Sequence, residues 1–369
     1  MKILFLIYDL AYGGAARQLM LLAAGLPRER FSVRVFTIGP DAPWSRALRG
    51  AGVAVESGNR RRLFDVGAFV GLRRALRHFA PDVIHVFGLP ALRAAVLTGG
   101  GGAGVVLGAA TPAGRGTPLG RLDRWLLGAL AGRAAARGPA EAERYRRLGV
   151  PPAKIVEVPP GIAEAAPPSV PHAEWCRSLG LPENARVIVG VGPLEPAKGF
   201  RDAIWAYDIL QFLYDDLHVL LVGRGSQELR LREFTRITRS TGRVHFLGER
   251  ADLDEVLGHA DLVWVPSEAD RGAGAALEAM AAGRPVVASR WPGLAEVIAD
   301  GETGVLVAPA DKGALARATR ALLDDPERRR RLGEAGRRRV AERFGVEAML
   351  GNYEALYAAV APGIARSRA

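Results

Sequence analysis

The chain alternates short apolar runs with longer segments in which apolar and polar residues mix at helical spacing. Ile3-Leu4-Phe5-Leu6-Ile7 is an unbroken apolar run, and Val187-Ile188-Val189 and Leu262-Val263-Trp264-Val265 repeat it. Strands buried on both faces read this way, as in parallel sheets covered by helices. In the first half the pattern predicts strands at Lys2–Tyr8, Ser32–Thr37, Val53–Glu56, Val83–Phe87, Gly104–Gly108, Arg133–Arg137 and Ile155–Val158. Between them it predicts helices at Ala15–Ala24, Ser45–Gly50, Val66–Phe79, Leu89–Leu97, Leu119–Leu130 and Ala140–Leu148. Pro159-Pro160-Gly161 breaks the alternation, and the Ala- and Pro-rich residues 164–183 read as a linker. The alternation restarts with the strand Arg186–Val191 and the helix Gly199–Leu213. It continues to the helices Lys312–Leu323, Arg328–Phe344 and Val346–Val360. A chain of 369 residues exceeds the roughly 250–300 that one core supports. The expected fold class is therefore α/β, with two doubly wound Rossmann-like domains facing a cleft. They span residues 1–163 and 184–343, and 344–369 form a terminal helix.

Composition narrows the classes. Cys176 is the single cysteine, which excludes an internal disulfide and a multi-cysteine metal site and suits a reducing cytoplasm. No apolar run approaches the roughly 20 residues that span a bilayer. The first apolar run stops at Asp9 and is followed by glycines, so it reads as a strand rather than a signal peptide. The net charge of +11 rests almost wholly on arginine, since the only lysines are Lys2, Lys154, Lys198 and Lys312. Such a charge suits an anionic surface. No nucleic-acid motif is present. Arg73, Arg74 and Arg77 stand beside Leu72, Leu76 and Phe79, just after Arg60-Arg61-Arg62. That pattern fits a helix lying on a membrane surface, and a packed surface helix equally.

The residues with chemistry cluster at predicted strand ends. Asp270 and Glu278 bracket the loop Gly272-Ala273-Gly274 with seven residues between them. A glycine loop opening a helix offers unpaired N–H groups and the positive dipole end, which suit a phosphate. A carboxylate only accepts hydrogen bonds, which suits sugar hydroxyls. Phosphate beside hydroxyls is the chemistry of a nucleotide sugar; an ordinary crossover with two solvated acids has the same sequence. Lys198, in Pro196-Ala197-Lys198-Gly199, sits where a cation meets a phosphate, or is a surface lysine in a turn. Gly13-Gly14, Gly223-Arg224-Gly225 and Phe246-Leu247-Gly248 end further strands, where backbone approaches a ligand or simply turns. His85 reads as a packed or hydrogen-bonded histidine.

Taken in order, these pieces resemble the retaining GT-B glycosyltransferases of family 4, which use nucleotide-diphosphate sugars. The resemblance runs over nearly the whole chain. It takes in Gly13-Gly14, Pro81–His85, Ile155–Ile162, Lys198-Gly199, Val222–Gly225, Phe246–Gly248, Pro266–Ala281, Gly293, Glu296 and Asp300–Gly304. It implies that Glu278 binds donor ribose hydroxyls and that the N–H groups of Gly272, Ala273 and Gly274 hold diphosphate and sugar. Asp270 would contact sugar hydroxyls and Lys198 would stabilise the leaving diphosphate. Gly13, Gly14, Gly199, Arg224 and Leu247 would complete the donor site. It also implies a terminal helix crossing back to the first domain, no protein nucleophile, and no cofactor or obligatory metal. The partners would be a nucleotide sugar, as substrate, and a glycan or lipid-linked acceptor, as in envelope or exopolysaccharide assembly, with peripheral membrane contact and no nucleic acid.

The chain departs from the family pattern in four places. Pro193 stands where the family has an arginine, with Arg224, Arg271 or Arg290 as replacements. Asp270 replaces the first glutamate. Val105–Pro112 carries no histidine, and Ala15-Ala16 follows the glycines where an acid is common. The alternatives are a degenerate GT-B protein that binds nucleotide sugar or a partner without turnover, and a sugar-nucleotide epimerase.

Overall fold

A computed structural model describes residues 1–11, 13–60, 66–99, 102–109, 125, 127 and 132–361. The predicted helix Leu119–Leu130 and residues Arg61 and Arg62 therefore fall outside the described residues, but for Trp125 and Leu127. The chain divides into two compact units, Met1–Gly161 with Val346–Ala369, and Ile162–Gly345.

Among the described residues unit 1 holds seven strands: β1 (Lys2–Ile7), β2 (Ser32–Thr37), β3 (Ala54–Ser57), β4 (Val83–Phe87), β5 (Gly104–Gly108), β6 (Arg133–Ala136) and β7 (Ile155–Glu157). They form one parallel sheet in the order β3-β2-β1-β4-β5-β6-β7. Successive side chains of a strand face opposite ways, and both faces are buried. Leu4, Leu6, Ile84 and Val86 enter one core, while Ile3, Phe5, Ile7, Val83 and Phe87 enter the other. This is why the strands lack polar alternation. The terminal helix Val346–Val360 packs on the second of these cores through Met349, Tyr353, Leu356 and Tyr357. Arg30 pairs with its Glu354 at 2.6 Å.

Unit 2 holds β8 (Arg186–Val191), β9 (Leu217–Val222), β10 (Val244–Gly248), β11 (Leu262–Val265), β12 (Val286–Ser289) and β13 (Gly304–Val307). Its sheet is also parallel, in the order β10-β9-β8-β11-β12-β13. Val187, Val189, Val263 and Val265 face one core, and Ile188, Leu262 and Trp264 the other.

Two expectations need correction, and a third helix is more than its composition suggests. Residues 164–183 are not a plain linker: they carry the helix His172–Ser178, whose Trp175 and Cys176 are buried in a unit 2 core. The helix Gly67–Phe79 buries Ala68, Leu72, Ala75 and Phe79 against its sheet, so its apolar face is occupied, while Val70, Arg73, Arg74, Arg77 and His78 face outward. The arginine-rich helix Pro326–Arg343 is only partly a solvated face. Arg330 does pair with Glu327 and Glu334 on the surface, at 3.1 and 2.8 Å. Arg329, however, is an inward partner of Asp261 at 3.2 Å, and Arg339 donates to the carbonyls of Glu296 and Val297. Among the described residues no helix is long and apolar enough to cross a membrane.

Candidate functional site

In an open parallel sheet, ligands bind outside the carboxyl ends of the strands, where the strand order reverses direction. In unit 2 that point lies between β8 and β11, which pair directly. The loops leaving these two strands carry Lys198 and the Ser267–Gly274 segment.

Both loops are held in close register. Glu268 N–H donates to the Ala197 carbonyl at 3.1 Å. Glu195 accepts from the Ser226 N–H at 2.8 Å and the Ser226 hydroxyl at 2.6 Å, which ties the β8 loop to the β9 loop. Gly199 has φ +68°, and a Cβ there would meet the Pro266 carbonyl oxygen at 1.8 Å, so no other residue fits. Gly272 has φ +102°, and its Cβ would meet Val265 Cγ1 at 2.5 Å.

Lys198 ends the short 3-10 turn Pro196–Lys198 and is half-buried. Its chain lies over Gly192, where a Cβ would meet Cε at 2.6 Å and Nζ at 3.0 Å. Its Nζ stands 3.9 Å from the Cβ position of Gly272. Burial holds the ammonium below the usual lysine range, the charge of Arg271 pushes it lower, and Glu278 opposes both. Lys198, Gly272, Arg271 and Glu278 therefore share one electrostatic neighbourhood. Gly272 opens the helix Ala273–Ala281, and the first helical bond runs from Ala276 N–H to the Gly272 carbonyl at 3.0 Å. The N–H groups of Ala273, Gly274 and Ala275 precede it and face a helix N-terminus, the setting for an oxyanion. Gly274 has open space on its Cβ side. Glu278 is half-buried one turn along the same helix.

The other expected residues divide. Arg224 lies beside Gly248, whose Cβ position is 3.5 Å from its Nη2. Leu247 is half-buried and packs its side chain against a core. Asp270 is exposed and accepts from the Gly293 N–H at 2.9 Å, at the start of the helix Pro292–Val297. Gly13 and Gly14 lie in unit 1, at the start of the helix Gly14–Gly25. Of the arginines that could replace the one lost at Pro193, Arg290 is ion-paired with Asp300, whereas Arg271 acts on Lys198. Arg271 was visible in sequence only as one of three. Ser267 was missed: it is buried, its hydroxyl has no partner among the described residues, and it lies 3.1 Å from the Gly272 Cβ position. A serine separated from the end of a strand by one proline is the only signal it leaves. No group of three or more His, Cys, Asp or Glu among the described residues is placed to hold a metal ion.

His85 is fully buried in unit 1. Its Nδ1 lies 2.8 Å from the Tyr357 hydroxyl, and its ring stacks on Phe87 at 4.3 Å. Burial pushes its pKa down to about 3, so it stays neutral.

Two parallel doubly wound units with these loops define the GT-B architecture. It is shared with the crystal structure of Anabaena Alr3699/HepE in complex with UDP-glucose, at a TM-score of 0.85 and 23% identity over 96% of this chain and 99% of that one. WaaG, a glycosyltransferase involved in lipopolysaccharide biosynthesis, aligns with a TM-score of 0.78 at 19% identity, over 98% and 100% of the two chains. The family model described as Glycosyltransferase Family 4 matches residues 12–165, and that described as Glycosyl transferases group 1 matches residues 172–339. The chain belongs to the GT-B glycosyltransferases of family 4. It is 31% identical to the 2-deoxystreptamine glucosyltransferase of Streptomyces kanamyceticus over 61% of this chain and 59% of that one. It is 30% identical to the N-acetyl-alpha-D-glucosaminyl L-malate synthase of Bacillus anthracis over 49% and 47%. The chain thus spans about half the length of the curated relatives it matches.

Proposed function

We propose that this protein moves a sugar, with retention, from a nucleotide-diphosphate sugar to a glycan or lipid-linked acceptor in envelope or exopolysaccharide synthesis. The observation that carries the reading is the Lys198 ammonium held beside Gly272 at the N-terminus of the helix that bears Glu278. In this reading the N–H groups of Gly272 to Gly274 bind the diphosphate and Glu278 accepts from the ribose hydroxyls. As the bond between sugar and diphosphate breaks, negative charge grows on the leaving oxygen. A half-buried ammonium already aimed there stabilises that charge more than it stabilises the ground state. Arg271 adds a second positive charge in place of the arginine lost at Pro193. The acceptor attacks from the face the leaving group departs, so no protein nucleophile is needed and no metal has to carry the diphosphate charge. The names of the relatives support a sugar transferase, and a neighbour solved with UDP-glucose supports the donor class. We place the reaction on the cytoplasmic side, at the inner face of the membrane. The exposed Arg73, Arg74 and Arg77 and the net charge of +11 would favour an anionic surface there.

A second reading, donor binding without turnover, draws on one observation: Asp270 is tied to Gly293 and so is turned from a free role. Donor hydrolysis and transfer assays over a panel of nucleotide sugars separate the two. Turnover with any donor supports the transferase; calorimetric binding with no hydrolysis or transfer supports the second reading.

A further inference from the structure

The opposite edge of the unit 2 sheet holds a groove of about 510 Å3, at the amino ends of β8, β11 and β12. Lys198 and Gly272 lie at the carboxyl ends of β8 and β11, so the groove is a separate place. Arg284, Arg186, Asp261, His172, His259 and Asn184 line it.

Its charges do not balance locally. Arg186 is taken up by Asp216, with contacts of 2.6 to 3.1 Å. Asp261 accepts from the Val187 N–H at 2.8 Å and pairs with Arg329 at 3.2 Å. Arg284 donates one N–H to the Gly258 carbonyl, and its Nε is buried with no acceptor among the described residues. Arg329 Nη1 is buried in the same condition. Two inward guanidinium groups therefore share one carboxylate whose oxygens are already engaged. The walls are fixed: His259 is held by Glu255 at 3.1 Å and stacks on Trp175 at 4.6 Å, and His172 contacts the Ala185 carbonyl at 2.9 Å. Buried cations are ordinarily paired, and buried N–H groups ordinarily find acceptors. A planar guanidinium fork matches the two oxygens of a carboxylate or phosphate. The groove has the size of a small-molecule site.

We propose that this groove binds a small oxyanion, a phosphate- or carboxylate-bearing molecule, with Arg284 as its principal donor. The ligand supplies the negative charge that the groove lacks. The proposal does not depend on the sugar-transfer reading.

The test is calorimetric titration with sodium phosphate, and separately with sodium succinate, at constant ionic strength balanced by chloride. It is run on full-length protein carrying Lys198→Ala, so that phosphate held at the donor loops does not contribute. Saturable binding is expected for at least one anion, and the anion that binds assigns phosphate or carboxylate. Arg284→Gln is expected to weaken it at least tenfold. Asn184→Asp keeps the guanidinium, adds a negative charge at the exposed rim, and is expected to weaken binding several-fold. It decides the matter alone if Arg284→Gln does not fold. Absence of saturable binding by either anion, or equal affinity in the variants and the Lys198→Ala parent, overturns the proposal.

Discussion

Both sheets are parallel and follow one order, in which the first three strands are laid down towards one edge and the later ones towards the other. They fill the crevice at the reversal differently. In unit 1 the central strands carry Phe5, His85 and Phe87, and the terminal helix adds Tyr353 and Tyr357, so aromatic rings pack on one another. A small pocket beside them, lined by Gly14, Gln18 and Tyr353, has Arg137 as its one cation among the described residues, and Glu141 already engages that guanidinium at 2.8 Å. In unit 2 the loops that leave the corresponding strands, β8 and β11, carry Lys198, Arg271 and a helix start behind glycine. Strand order decides where a crevice can form; side chains decide whether it is packed shut or kept charged for a ligand.

The largest difference between the two crevices is expected at Lys198. Lys198→Ala is expected to lower kcat about 100- to 1,000-fold, on the scale of losing an oxyanion donor; steady-state transfer kinetics measure it. The backbone of the two crevices should differ nearly as much. Gly199→Ala forces a left-handed residue against the Pro266 carbonyl and should cost at least about 2 kcal/mol. Gly14→Ala meets nothing within 4 Å and should change stability by less than about 1 kcal/mol. Urea denaturation of both variants checks the contrast. In unit 1, Tyr357→Phe removes the hydroxyl partner of a buried imidazole and should cost about 1–3 kcal/mol with little effect on donor binding.

The smallest effect concerns pH. Lys198 must be protonated to meet the diphosphate, so activity should fall as pH rises through its depressed pKa, earlier than for an ordinary lysine. Arg271→Gln removes a charge that lowers that pKa. The alkaline limb of kcat/KM should then move to higher pH, and an unmoved limb would show that the two cations are not coupled.

Much of the architecture was legible because these strands are buried on both faces and read as unbroken apolar runs. The boundaries of β2, β4, β5, β8 and β11 follow the sequence reading residue for residue. The short helices did not announce themselves. His172–Ser178 is hidden in Pro-rich surroundings and shows only Trp175 and Cys176, while Pro292–Val297 is barely a turn and a half. At the site, Lys198 and the glycine loop were legible because helix starts and glycines have local signatures. Arg271 beside Lys198, Asp270 turned to Gly293, and the unpartnered Ser267 hydroxyl are relations through space that spacing along the chain does not encode. The same holds for Arg284, which the sequence presents as an ordinary turn residue before a strand.

The most direct test of the central claim is calorimetric titration of wild-type and Lys198→Ala protein with a panel of nucleoside diphosphates. At least one is expected to bind wild type saturably and to lose on the order of tenfold or more in affinity without the ammonium. Equal affinity in the two proteins, or no binding by any member of the panel, would contradict it.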